Sequence, residues 1–216
     1  VAPFTATPQG AGALARGLSE NATITRLNVM SNGIAVAEGT LLFSAVASTP
    51  SFVALDVLPV LSIKENAIRV LSLKGSFGSK LEDGGTAFLA KLLATNTSVT
   101  MVDLSLNCIS PQGLAALGDG LQSNQTLVSL NMNNNDIGLD EGKLLAQFVL
   151  GNTTVSRLEL NSNKLRIKGG QALAAALKKD SALAELHLNN NSLGLEGGAA
   201  MEAALKINTA VKQLHV

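Results

Sequence analysis

Leu127-Val-Ser-Leu130-Asn-Met132-Asn-Asn-Asn135-Asp-Ile137 carries the pattern on which this chain is built. Apolar side chains at 130 and 132 alternate with polar ones, the period of a short strand with one buried face. Asn135 and Ile137 close the stretch, where an inward-pointing carboxamide can satisfy backbone groups as the strand turns away. The spacing L-x-x-L-x-L-x-x-N-x-L recurs without a gap at Val99–Ile109, Val155–Leu165 and Leu183–Leu193, with anchors 28 residues apart. Val211, Leu214 and Val216 open a further copy, and Ile24, Leu27, Val29, Asn32 and Ile34 form an earlier one. Between the motifs the period is helical: Gly113–Leu121 and Gly170–Leu177 set leucines four apart on an alanine-rich body. Each helix is expected to start after a glycine and to stop near Asn21, Asn96, Asn124, Asn152, Asp180 or Asn208.

A unit of one strand, a turn, one helix and a return resembles the leucine-rich repeat proteins, and its 28-residue helical form is similar to their ribonuclease-inhibitor-like class. The resemblance spans residues 1–216 as one domain. It implies an α/β solenoid of about eight repeats, a horseshoe with parallel strands on the concave face and helices on the convex face. The physics agrees, because one unit cannot bury its leucine face alone and neighbours must stack.

The period fails once. Anchors at 24, 52, 68, 99, 127, 155, 183 and 211 give steps of 28, 16, 31, 28, 28, 28 and 28, so residues 52–98 form an irregular stretch. The 16-residue step leaves room for one helical turn at most. Two explanations stand: a thin convex wall that bends the solenoid or makes a notch, or about twelve residues missing from the sequence, since 16 plus 12 restores 28. Peptide mapping across 55–75 separates them. The chain opens just before a helix and stops inside a strand, which suggests a segment of a longer protein or partners covering the ends.

Composition narrows the function classes. Hydrophobic residues make up 46%, while 16 basic and 16 acidic residues cancel, so the chain lacks the basic excess of a nucleic-acid binder. Aromatics are 3%, without Trp or Tyr, which removes stacking platforms for single strands. The longest apolar stretch, Phe52–Ile63, is broken by Asp56 and Pro59 and is too short to span a bilayer. A single cysteine, Cys108, excludes an internal disulfide and fits a reducing, cytoplasmic setting, with cytoskeletal, ciliary or organellar assemblies included.

Several patterns invite a chemical reading. The N-x-[ST] sequons that begin at Asn21, Asn96, Asn124 and Asn152 share one repeat position, where Asn and Ser/Thr serve turn chemistry. Glycine pairs at 84–85, 169–170 and 197–198 lack phosphate-loop spacing and are read as turn residues. Cys108 has no histidine in a neighbouring repeat to activate it. Glu159, His187 and His215 share one strand position in successive units. They carry zinc donors, yet a flat ladder lacks a pocket, a fourth ligand and supporting bonds. No catalytic residue, metal or cofactor is expected.

The residues flanking the strand leucines make the outward face. Arg157, Glu159, Glu185, His187 and His215, with Asp56 and Asp103, are the candidate partner contacts, and Ala54, Leu58, Val70 and Met101 make the face more apolar toward the N-terminus. The expected function is a non-catalytic protein–protein interaction module, a scaffold or adaptor subunit of a multi-subunit assembly, with no nucleic acid, membrane insertion or small-molecule substrate. Similar repeats occur in tropomodulin-like actin-capping proteins, ciliary scaffolds, ribonuclease inhibitors and NOD-like receptors. Two alternatives remain: a GTPase-activating regulator of the Ran type, and the sensor repeat domain of a NOD-like receptor.

Overall fold

A computed structural model describes residues 8–29, 32–47, 49, 52–55, 58–76, 80–138, 142–179 and 182–216. Helices and strands alternate along it. The order is α1 (Pro8–Glu20), β1 (Arg26–Leu27), α2 (Val36–Ala47), β2 (Ala54–Leu55), α3 (Val60–Lys64), β3 (Val70–Ser72), α4 (Glu82–Leu93) and β4 (Met101–Asp103). It continues through α5 (Pro111–Leu121), β5 (Ser129–Asn131), α6 (Gly142–Gly151), β6 (Arg157–Glu159), α7 (Arg166–Leu177), β7 (Glu185–His187), α8 (Gly194–Leu205) and β8 (Gln213–His215). The motif leucines do what their spacing implies: Val102, Leu104, Leu130, Met132, Leu158, Leu160 and Leu186 are all fully buried between the strand wall and the helix wall.

The strands are parallel throughout, in register by the 28-residue period from β4 to β8, Leu130 opposite Leu158 and Leu158 opposite Leu186, while β3 meets β4 across 31 residues, Val70 opposite Met101. The ladder nevertheless divides into a six-stranded sheet, β3 to β8, and a two-stranded one, β1–β2. The division falls at the short unit. There α3 is five residues long, and α2 packs directly against α4. Leu58, expected on the outward face, is fully buried, because the chain turns inward at once to start α3.

Helix starts also differ from the glycine rule. Helix α5 begins at Pro111, with the Ser110 hydroxyl accepting from the Gln112 N–H, so Gly113 lies inside the first turn. The glycine pairs likewise sit within α4, α7 and α8 rather than in turns. At Gly84 the reason is close approach: a Cβ there would lie 2.5 Å from the Ile34 carbonyl oxygen, whose lone pair accepts the Gly84 N–H at 2.9 Å.

Two asparagine columns tie unit to unit. Asn107, Asn135, Asn163 and Asn191 are 1–6% exposed. Their Nδ2 groups donate to carbonyls of the preceding unit, those of Leu73, Leu104, Met132 and Leu160, at 2.7–3.0 Å. Asn32 is half-buried and donates to its own unit's Val29 carbonyl. The second column is the sequon asparagines. Asn96, Asn124 and Asn152 accept the N–H groups two and three residues ahead. Each also donates from Nδ2 to a carbonyl at the end of the helix one unit back, that of Ile63 in α3, Leu93 in α4 or Leu121 in α5. The nitrogen that a glycan would occupy is thus a buried donor at these three sites.

Candidate functional site

Because β5 to β8 are parallel and in register, residues at the same strand position stand side by side across four strands, about 4.8 Å apart per step. This brings five of the seven candidate residues into one continuous cluster. Arg157 donates from Nε to Glu159 Oε1 at 3.0 Å and from Nη1 to Glu185 Oε2 at 3.1 Å. His187 Nε2 lies 2.7 Å from Glu185 Oε1, and its ring stacks on that of His215 with centroids 4.2 Å apart. At the other end, Asn133 Nδ2 donates to Glu159 Oε2 at 2.9 Å. One arginine thus bridges two carboxylates, and a histidine pair extends the row to the last strand.

The cluster sets the charge on Glu185. The hydrogen bond from His187 holds its carboxyl below the ordinary 4.5, and Arg157 and the charges of the two histidines act in the same direction against partial desolvation. A depressed carboxyl stabilises the fold above the unfolded-state value, and that contribution disappears as pH falls through the lower folded-state value. The expected result of a carboxyl-detected NMR titration is therefore a Glu185 midpoint below 4.5 that moves up in His187→Ala and, less, in Arg157→Ala. A wild-type midpoint at or above the ordinary value would show that the row does not persist in solution.

The other two candidates fall elsewhere. Asp103 lies on β4, two strands from β6, and spends Oδ1 on the Ser105 N–H at 2.9 Å, so it is a local turn-former. Asp56 lies outside the described residues. For Glu159, His187 and His215 the geometry is that of the ion-paired and stacked row, and among the described residues no group of three or more His, Cys, Asp or Glu side chains is placed to hold a metal. Cys108 receives the Lys80 ammonium at 3.0 Å, a partner from the preceding unit that no histidine search would find; the sulfur beside it raises the Lys80 pKa. An open hollow of about 510 Å³ lies at the last unit between Leu188, Met201, Leu205 and Leu214. Among the described residues no helix is long and apolar enough to cross a membrane.

The sequence reading gave no role to Asn133, Asn161 and Asn189. They form a rail along the strand exits: Asn133 Oδ1 accepts the Asn161 N–H at 2.6 Å and Asn161 Oδ1 accepts the Asn189 N–H at 2.8 Å. The signal was their recurrence at one repeat position, the same argument that identified the buried column.

Comparison with known proteins agrees with this architecture. A family profile described as leucine-rich repeat matches residues 95–118, 123–146 and 151–174, three successive units. No curated protein sequence matches the chain significantly. Among solved structures, the segment of leiomodin-1 named actin-binding site 2 superposes with a TM-score of 0.55 at 19% identity, over 68% of this chain and 88% of that one. The C-terminal domain of tropomodulin from Caenorhabditis elegans gives 0.54 at 13% identity, over 69% and 90%. At these identities the likeness is one of fold. The repeating strand–helix unit, its buried asparagine column and the matched profile together make this a leucine-rich repeat solenoid of the ribonuclease-inhibitor-like form.

Proposed function

We propose that this chain is a non-catalytic protein-binding module whose Arg157–His215 row contacts a protein partner, as a scaffold or adaptor. The observation that supports the reading is the row itself: an arginine, two carboxylates and two imidazoles held in mutual register on the outward side of the strand wall. None of these side chains is needed to close the core, whose apolar residues lie on the other side of the same strands. A preorganised charged patch fixes partner register and steers encounter more than it adds raw affinity. A flat wall of this kind suits another protein better than a small molecule, which needs a concave, largely enclosing pocket.

The leiomodin-1 segment is named for actin binding, which makes actin the first partner to try. The test compares the wild-type chain with Glu159→Lys/Glu185→Lys in co-purification from the native source and in actin co-sedimentation. A chain retained by the wild type at fixed stoichiometry is expected to be lost, or weakened by at least about tenfold, on the double reversal. Equal retention by both forms overturns the assignment of this row.

A further inference from the structure

The break between β2 and β3 leaves a strand edge open inside the chain. In the regular units the third, fifth and seventh residues of the motif turn their N–H and C=O groups toward the preceding strand. For β4 these are Met101, Asp103 and Ser105, which meet Arg69, Leu73 and Gly75: Met101 N–H to Arg69 C=O, Leu73 N–H to Asp103 C=O, and Gly75 N–H to Ser105 C=O. In β3 the equivalent residues are Val70, Ser72 and Lys74. Their edge faces away from β4, and none of the described residues pairs with it.

The cause is local. The carbonyl that should begin the β2–β3 ladder is that of Val53, equivalent to Thr25 C=O, which accepts Val53 N–H at 2.7 Å, and to Arg69 C=O, which accepts Thr100 N–H at 2.8 Å. In the short unit Leu61 N–H, from α3, reaches Val53 C=O first, at 3.1 Å. Exposure records the consequence. The outward residues of β5, β6 and β7 are half-buried, whereas Val70 is 61% exposed and Ser72 is also exposed, as on the terminal strand β8. Arg69 and Lys74 flank the edge, exposed and in no ion pair among the described residues.

We propose that the open edge of β3 accepts an extended, acidic segment of a partner protein, which adds as a strand beside Val70, Ser72 and Lys74. Unpaired backbone groups at alternate residues are matched only by a chain with strand repeat, which selects an extended segment over a helix. Arg69 and Lys74 select acidic side chains, and exposed Val70 and Met101 select apolar residues between them. The site shares with the proposed function only the premise that partners are proteins. It is separate from the Arg157–His215 row, so either can fail alone.

The probe is a capped synthetic peptide alternating glutamate and valine over seven residues, with two controls: the same peptide N-methylated at alternate residues, and its lysine–valine counterpart. Hydrogen exchange of the folded chain is read by NMR. The Val70 and Ser72 amides are expected to exchange freely without peptide and to slow by about tenfold when the acidic peptide is at ten times its Kd. Ser129 and Asn131, inside the sheet, should not change. The N-methylated peptide should not protect. Arg69→Glu/Lys74→Glu should weaken the acidic peptide by about tenfold and favour the lysine peptide, while Glu159→Lys/Glu185→Lys should leave both unchanged. Val70 and Ser72 amides already protected in the free chain would overturn the proposal. So would the absence of any protection by the acidic peptide, or equal protection by all three.

Discussion

Asn135→Ala is expected to cost roughly 3–5 kcal/mol of unfolding free energy, although it removes only a carboxamide. The side chain is 5% exposed and makes bonds in both directions. Its Nδ2 donates to the Leu104 carbonyl at 2.9 Å and the Met132 carbonyl at 3.1 Å. Its Oδ1 accepts the N–H groups of Asn107 and Ile109, each at 3.0 Å. Alanine leaves those two donors buried without an acceptor, and an orphaned buried group costs about 1–3 kcal/mol. Neighbouring units lose their tie at the same time, so the damage spreads along the stack. Asn189→Ala is the comparison. It removes a bond to Asn161 Oδ1 at a half-buried position and should cost under about 1 kcal/mol. Chemical denaturation followed by circular dichroism reads both, and similar midpoints for the two variants would mean that the buried column carries no special weight.

Gly39→Ala and Gly198→Ala should move stability in opposite directions. Both glycines lie inside helices, α2 and α8, where alanine ordinarily gains about 0.5–1 kcal/mol through reduced unfolded-state freedom. At Gly198 nothing lies within 4 Å of the added Cβ, and the ordinary gain is expected. At Gly39 the Cβ would overlap the backbone carbonyl of Gly84 in α4, which no rotamer change can relieve. The two helices must part, and overpacking of this kind costs about 1–3 kcal/mol, enough to reverse the sign. Thermal unfolding of the two single variants gives the answer directly; a stabilised Gly39→Ala would show that α2 and α4 do not touch as described.

The contrast between these two glycines marks the limit of what sequence disclosed. Leu130, Met132 and Asn135 could be placed because a period reports which side chains face inward, and the 28-residue register then put Arg157 beside Glu185 and His187 beside His215. The face that carries the candidate row was legible for the same reason. Asp103 shares that column but stands apart from the row, and its bond to the Ser105 N–H could not be read from spacing. The contact of Gly39 with Gly84 skips a unit and leaves no periodic trace. The short step announced that β2 and β3 were unusual, yet only the position of Leu61 N–H explains why they do not pair. Leu58 went inward at the same place because the local chain path, rather than the repeat, governs there.

The short unit also sets how the solenoid bears load. Strands about 4.8 Å apart against helices about 10 Å apart oblige a regular stack to curve, as an arch of wedge-shaped stones does. Where α2 meets α4 past the five-residue α3, one wedge has lost its wide end while its narrow end remains. The arch is therefore straighter there than elsewhere. On its inner side this joint has no tensile bonds across β2 and β3, so a force that spreads the two limbs is resisted mainly on the outer side, by the α2–α4 contact. Bending compliance is concentrated at that joint, and the limb from β3 to β8 moves as the stiffer lever.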